Sequence, residues 1–379
     1  MNTPRRSTPS VARGVSRLAF DAVEQLTTIV EAMHANIAAA APPLGRGTDG
    51  RTRGVTGFVY DSIRFANGAA RATLDRGLGW LPPGGEPALP RPRADAWLSA
   101  LNGVLGDHLA ASGNPLAITM QLRSEGRALP LGRAALAAAL PEAGARLLVL
   151  VHGLCMNDRQ WKRNGHDHGE ALARELGFTP VYLLYNSGRP VAENGRELSD
   201  LLEALLDAWP ARACELVILG HSMGGLVARS ACDTASEAGH AWVGQLGKLV
   251  FLGTPHHGAP LERGGSWLEG ALGVSPYTAP LARLGRLRSA GITDLRHGSP
   301  APLPTGVACY ALAATRGPGP IGDGLVPVQS ALGRHPEPAK TLAFPASNCW
   351  VGSGMGHFDL LDRREVYGRL RAWLGVPRA

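Results

Sequence analysis

A serine stands between glycines where an apolar run meets a helix-spaced one, in LVILGHSMGGLVARSA (216–231). The motif is Gly220-His221-Ser222-Met223-Gly224. G-x-S-x-G by itself is a weak signal, but here it follows the strand-like ELVILG and opens the helical GGLVARSA. Such a corner needs small residues on either side of the serine so that strand and helix can approach. It holds a hydroxyl at the edge of a sheet, beside a helix N-terminus that favours negative charge. The chemistry this suits is nucleophilic attack on a carbonyl, with Ser222 as the nucleophile.

A serine hydroxyl needs a base, and the base needs a carboxylate to orient it. In this kind of fold the chain order is Ser, acid, His. His357, in the Gly-rich stretch GSGMGHFDLL before a final helix, is the expected base. Asp323 in GDGLVPVQSA follows a late apolar run and is the expected acid; Asp294 is the runner-up, and Asp359 sits too near His357 in sequence. The oxyanion needs backbone N–H donors. Met223 follows the nucleophile, and Leu154 follows His152-Gly153 in the turn after RLLVLVHG, so these two are the expected oxyanion hole. His256 and His257, after KLVFLGTP, are expected as walls of the site. GHDHG offers only an H-x-H pair, His166 and His168, and reads as a loop rather than a metal site. No phosphate-binding or dinucleotide glycine pattern follows a first strand, so no cofactor and no metal are expected.

The elements that position these residues follow from periodicity. Apolar runs at RLLVLVHG, TPVYLLYNS, ELVILGHS, KLVFLGTP, GVACYALAAT and AKTLAFPAS alternate with helical stretches near 169–176, 195–209, 224–238 and 363–374. LAITMQLR and RALPLG around Ser124-Glu125-Gly126 predict a hairpin. Continuous apolar strands alternating with helices predict an α/β class, with a mostly parallel sheet flanked by helices. Upstream lie three helical stretches, at 11–37, 55–78 and 94–111, separated by Pro- and Gly-rich links. The expected organisation is a helical N-terminal extension over 1–112 and an α/β domain over 113–379. A lid-like insertion is expected near 258–304, where Leu261, Trp267, Leu268, Leu272, Tyr277, Leu281 and Leu284 line an acyl site or simply pack as helices.

The totals set bounds. The 379 residues are 45% hydrophobic and 18% charged, with net charge +7, which reads as a globular chain. Much of the positive surplus lies before residue 94, where 12 arginines face 7 acids. No basic stripe with interleaved aromatics appears, so no nucleic-acid partner is expected. The N-terminal helices are expected to pack on the core, with a peripheral membrane or lipid surface as the alternative. The five cysteines are scattered with no C-x-x-C and read as free thiols. No secretory h-region and no 18-residue apolar run occurs, which predicts a cytoplasmic protein.

Taken together, VHGL, GHSMGG, LGTPHHGAP, DGLVP and GHFDLL resemble the α/β-hydrolase lipases and esterases. The likeness is strongest to bacterial triacylglycerol lipases and to deacylases of the glycosylphosphatidylinositol-anchor type, and it covers about 116–379. The resemblance implies an α/β-hydrolase fold and a serine hydrolase of apolar carboxylic esters in lipid metabolism, with a small-molecule or lipid ester as substrate. It assigns the same roles to Ser222, Asp323, His357, Leu154 and Met223. Secreted relatives carry a calcium site in which Asp359 would serve, paired with Asp294. An acyltransferase, a thioesterase or a polyester depolymerase would use the same triad. A non-catalytic binding protein on this fold would normally have lost one of its members.

Overall fold

The computed structural model describes residues 8–39, 51–52, 54–80, 91–211, 215–259, 289–317 and 322–375. The chain divides into two compact units. One comprises 4–88 and 113–116; the other comprises 89–112 and 117–379, together with 1–3.

The larger unit is built on one eight-stranded sheet. Its strands are β1 (Gln121–Ser124), β2 (Arg127–Ala128), β3 (Arg146–Val151), β4 (Thr179–Leu184), β5 (Glu215–His221), β6 (Leu246–Leu252), β7 (Ala308–Thr315) and β8 (Cys349–Ser353). Their spatial order is β2-β1-β4-β3-β5-β6-β7-β8. β1 runs antiparallel to both β2 and β4, and every pair from β4 to β8 is parallel. The β1–β2 turn is the expected hairpin, with Glu125 and Gly126 at φ 50° and 71°. This is the expected α/β architecture, a mostly parallel sheet flanked by helices.

The strands are apolar throughout because both faces are covered. In β5, Leu216 and Ile218 join one core cluster while Val217 and Leu219 join the other. Helices α3 (Arg91–Ala111), α4 (Arg133–Ala139), α5 (His168–Leu176), α6 (Val191–Ala208), α7 (Met223–Ala238), α8 (Ala290–His297), α9 (Val328–Ala331) and α10 (Arg364–Leu374) belong to the same unit. In α6 the buried positions include Val191, Asn194, Leu198, Leu202 and Leu205, one face of a 3.6-residue repeat. Gly195 lets α6 close on α7: a Cβ there would stand 2.3 Å from Ser230 Oγ.

Two expectations need correction. AKTLAFPAS is not a strand. Residues Pro338–Lys340 and Ala346–Asn348 form 3₁₀ turns, and the last strand is the next segment, Cys349–Ser353. Pro338 precedes that run and Pro345 lies within it; proline supplies no N–H to a ladder. Likewise α3, expected in the N-terminal extension, groups with the sheet. The apolar residues 261–284 of the expected lid lie outside the described residues.

The smaller unit is a pair of antiparallel helices, α1 (Thr8–Ala39) and α2 (Gly54–Trp80), which cover the two upstream helical stretches. Asn114 closes the unit: its Nδ2 donates to Gly14 O at 3.1 Å.

Candidate active site

Ser222 sits between the end of β5 and the first residue of α7, at φ 54° and ψ −125°. A non-glycine residue held there costs on the order of 1–3 kcal/mol, which the surrounding packing must sustain. The packing is tight on every side. A Cβ on Gly224 would lie 2.2 Å from Val151 O, and one on Gly220 would lie 2.6 Å from Gly225 Cα. Both flanking glycines are therefore required by close backbone approach. Ser222 N donates to Leu252 O at 2.8 Å, so β6 also fixes the corner. Met223 opens α7, so its N–H is one of the amides a helix start leaves without an intrahelical acceptor.

The turn after β3 lies against the serine. A Cβ on Gly153 would stand 3.0 Å from Ser222 Cβ, and Leu154 is the next residue of that turn. The next residue, Cys155, has φ 61°, and its N–H donates to Ser187 Oγ at 3.0 Å. The His152 ring stacks on Tyr185, and Tyr185 OH donates to His152 O at 2.8 Å. Burial lowers the pKa of His152 to about 4, so it is neutral.

Asp323 and His357 come from the loops after β7 and β8. His357 Nδ1 lies 2.7 Å from Asp323 Oδ2. Asp323 is fully buried, and its Oδ1 accepts from Leu325 N at 2.9 Å and Val326 N at 2.8 Å. His357 N donates to Asp323 O at 3.2 Å, so backbone and side chain both tie the loops together. The turn after β6 bears on the imidazole, since a Cβ on Gly253 would lie 3.1 Å from His357 Nδ1 and Cε1. Asp359 Oδ2 accepts from Gly356 N at 2.7 Å and shapes the same loop. All five expected site residues thus gather at the C-terminal edge of the sheet, where open parallel sheets bind their ligands.

His221 was not singled out from the sequence. Its Nε2 lies 3.3 Å from His357 O, and the two rings stand 4.7 Å apart. A carbonyl can only accept, so Nε2 carries the proton. Complete burial, then the nearby His357, hold the pKa of His221 well below the usual range, so the ring stays neutral. The nucleophile's strand is thereby bonded to the backbone of the imidazole loop. Its signal in the sequence was only its place beside the serine.

Other candidates are engaged elsewhere. Asp294 Oδ2 accepts from Val191 N at 2.7 Å, at the start of α6. Among the described residues no group of three or more His, Cys, Asp or Glu side chains is placed to hold a metal ion. His256 is no open wall: it is fully buried against Phe251 and takes a hydrogen bond from Arg229 Nη1 at 2.9 Å. His257 Nε2 donates to Gly333 O at 3.0 Å. His166 and His168 bond each other at 2.8 Å, and His168 Nε2 reaches Leu360 O at 3.0 Å, so this pair braces the imidazole loop. Cys155, Cys232, Cys309 and Cys349 are free thiols. No helix among the described residues is long and apolar enough to cross a membrane.

Residues 142–271 match the family described as the PGAP1-like alpha/beta domain. No curated protein matches the chain by sequence. Solved structures that align with it include the mature lipase BlEst2 of Bacillus licheniformis, at 18% identity over 61% of this chain and 91% of that one, with a TM-score of 0.44. An esterase of Pyrobaculum calidifontis aligns at 15% identity over 62% and 76%, TM-score 0.43. An esterase of Pyrococcus furiosus aligns at 14% identity over 63% and 84%, TM-score 0.40. The family match spans β3 to β6 of the sheet, with Ser222 inside it.

Proposed function

We propose that the protein is a serine hydrolase of carboxylic esters, with Ser222 as nucleophile, His357 as general base and acid, and Asp323 as the carboxylate that orients the imidazole. Ser222 Oγ attacks the ester carbonyl while His357 Nε2 takes its proton. The amides of Leu154 and Met223 stabilise the oxyanion. Collapse expels the alcohol, which receives the proton from His357. Water, activated by the same imidazole, then releases the acid from Ser222.

The observation that carries this reading is the strained Ser222 corner beside a buried Asp323–His357 pair bonded at 2.7 Å. A binding protein has no use for a serine held at φ 54° next to an oriented imidazole. The substrate class follows from the resemblance to lipases and esterases, and apolar acyl esters are its first candidates.

A fluorophosphonate probe tests the proposal. Labelling should map to Ser222 and be lost in Ser222→Ala. A panel of p-nitrophenyl esters of graded length should then show turnover with a preferred acyl length. Labelling elsewhere, or an unlabelled protein with no ester turnover, would overturn the assignment.

A further inference from the structure

His357 opens a short 3₁₀ turn, His357–Leu361, which the chain reaches from β8 through Gly354 and Gly356. Gly354 stands at φ 68°, and the glycines leave the approach little stiffness of its own. Inside the turn, Asp359 N donates to Gly356 O at 3.1 Å and Asp359 Oδ2 accepts from Gly356 N. These bonds fix the shape of the turn but not its place. Its place depends on bonds from other elements. Besides the bonds to Asp323, two carbonyls of the turn meet imidazoles. His221 Nε2, at the end of β5, lies 3.3 Å from His357 O, and His168 Nε2, at the start of α5, lies 3.0 Å from Leu360 O.

Both rings are fully buried, and burial keeps both neutral, with the pKa of His168 lowered to about 4 and that of His221 well below its usual range. A neutral imidazole has one N–H. Each ring spends it on the turn. His168 Nδ1 therefore carries a lone pair, and His166 Nε2 donates to it at 2.8 Å. His166 is itself held by a two-residue turn. Arg163 and His166 exchange backbone bonds of 2.8 Å across Asn164 and Gly165, which stand at φ 47° and 78°. Arg163 Nε also lies 3.2 Å from the Asp362 carboxylate, just past the 3₁₀ turn. The GHDHG stretch and the histidine before the serine thus act on one object from two sides.

A general base must stand within about 3 Å of the hydroxyl it deprotonates. Asp323 orients the ring of His357, but the backbone that carries the ring is set by these two imidazoles. We propose that His168 and His221 are positioning residues, which hold the His357 turn at the distance and angle needed to deprotonate Ser222. The proposal rests on the serine-hydrolase reading of the site.

The test compares His168→Leu and His221→Leu, which remove the donor, with His168→Gln and His221→Gln, which keep an N–H where Nε2 stood. The readouts are kcat and KM on one soluble p-nitrophenyl ester, the melting temperature, and the low-field proton resonance of the His357–Asp323 hydrogen bond. Each leucine variant should lose roughly tenfold or more in kcat with little change in KM, and should lose or shift the resonance. The glutamine variants should recover most of both. His256→Leu is the control, because His256 is equally buried but its partners are Arg229, Phe251 and Phe344. It should lower the melting temperature and leave kcat and the resonance in place. His166→Ala, at a half-buried position, frees the His168 ring without opening the core and should cost roughly threefold or more in kcat. Leucine variants with wild-type kcat and resonance overturn the proposal, as do glutamine variants no better than leucine. A fall in kcat that His256→Leu shares also overturns it, since it would mark general loss of stability. If the leucine variants do not fold, an unchanged kcat in His166→Ala overturns it. A wild type that turns over no ester defeats the serine-hydrolase reading instead, and the resonance in the same variants then decides the positioning by itself.

Discussion

Replacing Asp323 with asparagine separates charge from shape, and the geometry dictates which amide atom goes where. Asp323 Oδ1 accepts from two backbone amides, Leu325 N at 2.9 Å and Val326 N at 2.8 Å. In Asp323→Asn the amide oxygen must keep that position, because an NH₂ group there would face two donors. The NH₂ then occupies the place of Oδ2 and points at His357 Nδ1, which now lies 2.7 Å from the carboxylate. Donor facing donor is resolved only by the other tautomer, with Nδ1 accepting and the proton on Nε2. An imidazole protonated at Nε2 cannot take the proton of Ser222. Loss of the triad carboxylate in this way costs about 10⁴ in kcat, or roughly 5.5 kcal/mol of barrier. Stability should change by only about 1 kcal/mol, because all three hydrogen bonds keep partners. The assay is kcat on one soluble p-nitrophenyl ester beside a melting curve, with Asp294→Asn as comparison. A variant within tenfold of wild type would refute the tautomer argument, and with it the role of Asp323.

Ser222→Ala should fold normally and lose about 10⁶ in kcat, as loss of a triad nucleophile does elsewhere; more than a tenth of wild-type turnover in purified variant would sink the mechanism. Gly253→Ala puts a methyl 2.8 Å from Leu360 Cδ1 and 3.1 Å from His357 Nδ1 at a φ of 59°, so kcat should fall at least tenfold with KM nearly unchanged; an unaltered kcat would show that the imidazole is not fixed from this side. The fully buried His152 and His168 have pKa values lowered to about 4, so the unfolded chain binds more protons than the folded one between that value and about 6.5. Stability is therefore full above about pH 6.5 and is lost as pH falls, by about 2 kcal/mol for each ring at pH 5; a melting temperature flat from pH 7 to 5 would contradict this.

Much of the site was legible because its requirements are local. The strand–serine–helix corner is written in consecutive residues, and Gly220 is needed where the chain folds back on Gly225, although Gly224 is needed by Val151 O on β3. Continuous apolar runs identified the parallel strands, since burial on both faces removes any alternation. The last strand was misplaced for a local reason too. TLAF is apolar enough for a strand, but Pro338 and Pro345 on either side take it out of the ladder, and the short, half-exposed CWVGS pairs with β7 instead.

The place of α3 could not be read in this way, because what holds it is contact across long sequence separations. Periodicity identifies a helix without saying which surface it meets, and here that surface includes the turn after β3 in the candidate site. A Cβ on Gly103 would stand 2.2 Å from Cys155 Sγ, one on Gly106 would stand 1.8 Å from Asn186 Oδ1, and one on Gly188 would stand 2.1 Å from Asn102 O. Polar bonds complete the seat: Asn186 Nδ2 donates to Gly106 O at 2.8 Å, Ser289 Oγ to Gly103 O at 2.7 Å, and Ala290 N to Asp107 Oδ2 at 2.8 Å. The two glycines of α3, each costing roughly 1 kcal/mol of helix propensity, are explained by this close approach and by nothing within the helix. Cys155 follows Leu154, and its amide is already fixed by Ser187 Oγ. The helix therefore bears on the same turn whose amide is proposed to bind the oxyanion. A domain boundary drawn where the strand pattern begins would cut that support away; the boundary set by packing lies before α3.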